Sequence, residues 1–130
     1  LTDQQLTHGI INAAIEVHPA RGLGLPESVY EECLAQEPDL RHIPFERQKP
    51  LPVVYNGVHL DCGYRADLLV DGRVIVELKA VAALAPIHDA IVLTYLRLSS
   101  SKIGLLINFH IPVPKQGIRR PVLNYPEQDH

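Results

Sequence analysis

DLLVDGRVIVELKA, residues 67–80, is the stretch on which the fold turns. Val74, Ile75 and Val76 are consecutive β-branched residues and read as a strand heading into a core. Glu77 and Lys79 then break the apolar run two residues apart, and Asp67 lies ten positions before Glu77. Side chains alternate across a strand, so Glu77 and Lys79 share a face. Whether Asp67 joins them depends on the turn at Asp71-Gly72, a hairpin signal. A two-residue loop, Asp71-Gly72, pairs Asp67 with Val76 and puts it on the face opposite Glu77. A three-residue loop, Val70-Asp71-Gly72, pairs Asp67 with Ile75. That loop sets Asp67 diagonal to Glu77 on the same face and gives Gly72 the left-handed position glycine tolerates best. A longer loop or a bulge also brings the two acids together.

Two close carboxylates repel unless something cationic sits between them. A divalent cation is one answer, since oxygen ligands suit Mg²⁺. Lys79 beside the pair would hold or activate a water, or neutralise charge on a phosphate. The plainer reading is a salt bridge from Lys79 to Glu77 or Asp67 at the solvent end of a sheet. Glu-x-Lys on a strand is common by chance, and spacing alone leaves both readings open.

The rest of the chain sets the frame. Its 130 residues, 46% of them hydrophobic, are enough for one domain with a sizeable core. That domain is expected over residues 1–130, with the core at about residues 2–123 and a tail at 124–130. A net charge of −3 is not that of a general polyanion binder, although a local basic patch is compatible with it. Lys115, Arg119 and Arg120 form a basic cluster that reads as a solvated tail. Cys33 and Cys62 show no metal or disulfide spacing and read as reduced thiols of a cytoplasmic protein. No signal peptide is visible, and no apolar run approaches the roughly 18 residues of a membrane span.

Thr2 and Gln5 have capping-box spacing and predict a helix start. Leu6, Ile10, Ala13, Ala14 and Val17 follow at helical period, Pro19 is expected to end the helix, and the glycines of residues 20–24 predict a tight turn. Pro26 suits the first turn of a second helix, with Val29, Cys33 and Leu34 as its apolar side and Pro38 as its stop. Glu27, Tyr30 and Glu31 share one face of that helix. Strands are predicted at 43–47, at 51–55 and 58–60 around Asn56-Gly57, at 63–70 and at 73–79. A third helix is predicted from Pro86 to Leu98, with His88, Ile91, Val92 and Tyr95 on one face. A buried strand at 103–109 and an edge strand near 118–123 complete the order. Helix, helix, several strands, helix, strand implies the α/β class, a mixed β-sheet flanked by helices.

GLPESVY (24–30), DCGYRADLLV (61–70), VIVELKAV (74–81) and GLLINF (104–109), with AAIEVH (13–18) and LTYLRL (93–98), together resemble the GxxExxY protein family. That family is assigned to the PD-(D/E)XK nuclease-like superfamily. The resemblance spans residues 2–123 and implies a restriction-endonuclease-like core. It implies Asp67 and Glu77 as ligands of Mg²⁺ or Mn²⁺, Lys79 as the catalytic lysine, and the Leu78 carbonyl facing the metal. Glu27 matches the helical acid that completes RecB-type sites, and Tyr30 matches the family tyrosine. His18 is a further ligand candidate from the upstream helix, against a reading in which it interacts with the helix dipole. RecB-type sites continue with Gln-x-x-x-Tyr. Tyr95 fits the tyrosine, but the glutamine position falls on Ile91, which cannot hydrogen-bond. His88, one turn earlier on the same face, is a candidate to substitute for that glutamine. The implied activity is metal-dependent hydrolysis of phosphodiester bonds in DNA or RNA, with no membrane involved. Ile91 and the acidic charge motivate an alternative, a catalytically degenerate nuclease-fold module for binding nucleic acid or protein, as a homodimer or with a protein partner. His8, His42, His59, His110 and His130 show no ligand spacing and read as surface or structural.

Overall fold

The computed structural model describes residues 1–21 and 24–123, without the side chains of residues 19–21. The expected tail at 124–130 and the centre of the glycine turn, residues 22 and 23, lie outside the described residues. Thr2 and Gln5 cap each other: the Thr2 amide donates to Gln5 Oε1 (2.8 Å) and the Gln5 amide to Thr2 Oγ1 (3.0 Å). Two helix-start donors are thereby satisfied. Helix α1 (Asp3–Arg21) follows, and its predicted stripe from Leu6 to Val17 is buried. Pro19 does not end α1, which runs on to Arg21. A proline in the last turn forfeits one backbone hydrogen bond close to where the helix ends anyway.

Pro26 (φ −63°, ψ 152°) is the N-cap of α2 (Glu27–Ala35) rather than a residue of its first turn. The buried side of α2 is Tyr30, Glu31 and Leu34, while Val29, expected inside, is exposed. Pro38 does not stop α2. It opens the short α3 (Pro38–Arg41), where its missing N–H costs nothing.

The strands are β1 (Phe45–Pro50), β2 (Val53–Tyr55), β3 (Val58–Leu60), β4 (Arg65–Val70), β5 (Val74–Lys79), β6 (Ile103–Asn108) and β7 (Ile118–Arg119). Strands β2 and β3 form a separate hairpin around Asn56 (φ 51°) and Gly57 (φ 76°), the two positive φ values a type I′ turn requires. The other five make one sheet in the order β1-β4-β5-β6-β7. Among the described strands only β5 and β6 are parallel, and α4 (Pro86–Ser99) links them, as a parallel pair requires a long crossover. The predicted edge strand at 118–123 shrinks to β7 plus one bridge between Ile103 and Val122. This is the α/β mixed sheet flanked by helices that the element order predicts.

Strand β5 is buried on both faces, which explains its unbroken apolar run. Leu68, Val70, Val76 and Leu78 pack toward α1 and α2. Leu69, Ile75 and Leu106 pack toward Val92 and Leu96 of α4. Neither predicted loop joins β4 to β5. The Arg73 amide donates to the Val70 carbonyl (3.0 Å), and Asp71 (φ 53°) and Gly72 (φ 66°) both sit at positive φ. The turn chemistry is thus the two-residue kind, yet the ladder pairs Val70 with Val74. Arg73 is an extra residue, and this bulge shifts the register. Arg119 and Arg120 also depart from expectation. Arg119 forms an ion pair with Asp89 on α4, and Arg120 Nη2 donates to Thr7 Oγ1 (3.3 Å), so both bind back onto the fold.

Candidate metal centre where β4 and β5 part

The β4–β5 ladder runs Val70↔Val74, Leu69↔Ile75, Leu68↔Val76 and then stops. Continued one step, that register sets Asp67 opposite Glu77, so the acids share a face and Lys79 shares it with them. Side chains take over where the backbone ladder ends. The Asp67 amide donates to Glu77 Oε1 (2.9 Å), and the Leu78 amide donates to Asp67 Oδ2 (2.8 Å). Each acid caps a backbone donor that the parted strands leave free, which is why both stay fixed at this end of the sheet.

The electrostatics are costly. Glu77 is buried, and burial pushes its carboxyl from the ordinary 4.5 up to about 8, with the Asp67 charge adding to the rise. The Asp67 amide and the Lys79 charge pull the other way, and Glu27 adds a smaller upward push. Burial likewise raises Asp67, against the Leu78 amide and Gln48, with Glu31 and Glu27 repelling it. No Lys, Arg or His nitrogen lies within 4.0 Å of either carboxylate among the described residues. The simple sheet-end salt bridge is therefore not what forms: Lys79 is half-buried and acts on Glu77 at longer range.

Groups from both helical layers meet at this opening. From α4 comes Tyr95, whose hydroxyl is raised by burial and then by the charges of Glu77 and Asp67; its ring sits 5.9 Å from that of Tyr64. From α2 come Glu27, exposed and felt by both acids, and Glu31, which is buried. Gln48 Nε2 of β1 donates to both Glu31 Oε1 (2.8 Å) and Asp67 Oδ1 (3.1 Å). Arg47 Nε donates to Glu31 Oε2 (2.9 Å), and its Nη2 to Glu32 (2.6 Å).

Other candidates lie elsewhere. Tyr30 is fully buried and stacks on Phe109 with ring centroids 4.5 Å apart, anchoring α2 to the end of β6. His18 Nε2 donates to the Ile111 carbonyl (2.6 Å), a contact across the fold. His88 Nδ1 accepts the Ala85 amide (2.8 Å) and so caps α4. His110, read from sequence as surface or structural, lines an open depression with Glu27 and Ala80. The reading from sequence missed Gln48 and Arg47 altogether and marked Glu31 only as a neighbour of Glu27 on α2. The one available signal for Gln48 was its position opposite Asp67 in a pairing whose register could not be read.

Among the described residues, no group of three His, Cys, Asp or Glu is placed to hold a metal ion. The pair Asp67–Glu77 still fits Mg²⁺, which is commonly bound by one or two carboxylates together with waters and substrate phosphates. A buried and a half-buried acid side by side, with no cation in ion-pair contact among the described residues, are the electrostatic setting that a hard cation relieves.

A sequence-family model described as the PD-(D/E)XK nuclease superfamily matches residues 4–121. No curated protein matches the chain, and no solved structure does. The match covers most of the chain, both acids and the lysine included, and its name fits the arrangement at the end of β4 and β5: this chain belongs to the PD-(D/E)XK nuclease superfamily.

Proposed function

We propose that the protein is a divalent-metal-dependent nuclease of GxxExxY type that hydrolyses phosphodiester bonds of DNA or RNA. The observation that carries this reading is the Asp67–Glu77 pair: Glu77 is buried and pushed up to about 8, Asp67 stands half-buried beside it, and Lys79 is next along the same face. Asp67 and Glu77 would hold Mg²⁺ or Mn²⁺. The carbonyl of Leu78, the residue whose amide Asp67 caps, would add a third oxygen. Glu27 would complete the set from α2. His18 is the weaker candidate: its Nε2 donates to the Ile111 carbonyl, which leaves Nδ1 as the nitrogen that could ligate. When bound, the ion supplies Lewis-acid stabilisation of the charge that builds on the scissile phosphate. Lys79 orients the attacking water and balances negative charge on the phosphate. Tyr95, beside both acids, bounds the site on the α4 side.

The test is cleavage of labelled DNA and RNA with Mg²⁺ or Mn²⁺ by wild type and Glu77→Ala. Loss of activity by about 10²-fold or more is expected. Equal cleavage by the variant overturns the assignment. Ile91, at the position where RecB-type sites carry glutamine, favours the second reading, a nuclease fold kept for binding. That reading gains if wild type neither cleaves nor binds Mn²⁺ in calorimetry.

A further inference from the structure

Gln48 lies within β1, yet the β1–β4 pairing passes over it. Arg47 pairs with Leu68 and Lys49 with Ala66, and Gln48, which stands across from Asp67, is skipped. Its φ is +50°, a left-handed value that is unfavourable for any residue but glycine and persists only where surrounding contacts enforce it. The contacts are specific. Gln48 Nε2 reaches Glu31 Oε1 and Asp67 Oδ1 together. Glu31 is only 6% exposed and is held on its other oxygen by Arg47. Asp67 is held on its other oxygen by the Leu78 amide. A continuous chain of hydrogen bonds thus runs from α2 through Glu31, Gln48 and Asp67 to β5.

We propose that Gln48 is a positioning residue: from a left-handed kink in β1, its carboxamide ties Asp67 to Glu31 of α2 and so fixes the Asp67 carboxylate against β5. The inference rests on the reading of Asp67 as part of the metal centre. Glutamine suits the task because its NH₂ carries two hydrogens, one for each acid, and no charge. A lysine there would compete with a cation for Asp67, and a glutamate would add a third repelling acid.

The test is amide hydrogen exchange by NMR on the metal-free full chain, comparing wild type with Gln48→Gly. Glycine tolerates the positive φ, so the kink is retained while the carboxamide is removed. Exchange of the Leu78 amide is expected to accelerate about tenfold or more, with Val74 and Val76 of the same strand keeping their wild-type rates. An unchanged Leu78 rate overturns the proposal by making Gln48 a kink residue only. Faster exchange along the whole of β5 overturns it by making Gln48 a general support of the fold. Mn²⁺ calorimetry on wild type is read separately. If it shows no binding, the nuclease reading falls while the exchange result still decides the role of Gln48.

Discussion

Burial and the adjacent Asp67 charge hold Glu77 near 8, so without a cation much of it is protonated at neutral pH. Between the ordinary value of 4.5 and about 8 the folded chain binds more protons than the unfolded one. Stability therefore falls as pH rises: the contribution is complete below the unfolded value and lost above the folded one. In chelator, urea unfolding of wild type is expected to lose on the order of a few kcal/mol between pH 5 and pH 9. Glu77→Gln, which still accepts the Asp67 amide, should flatten most of that slope and be the more stable protein at pH 8, while losing cleavage. Parallel slopes for the two proteins would show that Glu77 is not the group responsible. The three charges were legible in the sequence because strand alternation needs no tertiary knowledge. Gln48 was not, because its part depends on a positive φ and on a neighbour two strands' worth of sequence away. The resemblance puts a glutamine on α4, where Ile91 stands, whereas Gln48, which touches an acid, comes from β1.

At the scale of elements, the hairpin of β4 and β5 carries the site and α4 roofs it. Asp71-Gly72 announced the turn, but the register could not be read from it, because Arg73 adds a bulge that no turn signal encodes. The prolines misled for a related reason: Pro19 and Pro38 mark where a helix is weakened or begun, and tertiary packing decides which. The α4 contact is close. A Cβ added at Gly104 of β6 would lie 2.7 Å from Val92 Cγ1, nearer than real contacts allow, so the glycine sets the distance between α4 and the sheet. Gly104→Ala is expected to lower stability by about 1–3 kcal/mol in denaturant unfolding. Because Tyr95 rides on the same helix, the variant should also weaken Mn²⁺ binding. A variant as stable as wild type would mean that α4 floats more freely than its packing implies.

For the whole molecule, the layered α/β class was legible from element order alone. A cation that binds only the folded form stabilises it in proportion to its occupancy. Mn²⁺ at about a hundredfold excess over its dissociation constant should add about 2.7 kcal/mol, read as a rise of several degrees in melting temperature that chelator reverses. Asp67→Asn should show no such rise. An equal rise in that variant would place the metal elsewhere on the surface.

The two acids belong to one hairpin, whereas β5 meets β6 only after the chain has travelled through the whole of α4. Loop-closure entropy favours the short connection first. During folding the chain therefore meets the repulsion between Asp67 and Glu77 early, while the hairpin is still open to water and the charges are screened. The electrostatic penalty arrives only when α4 and β6 close over them, and without a cation Glu77 meets it by taking up a proton. The centre is assembled cheaply in the nascent hairpin and becomes strained on enclosure, so a cation captured at the hairpin stage would lower the later barrier rather than the first one.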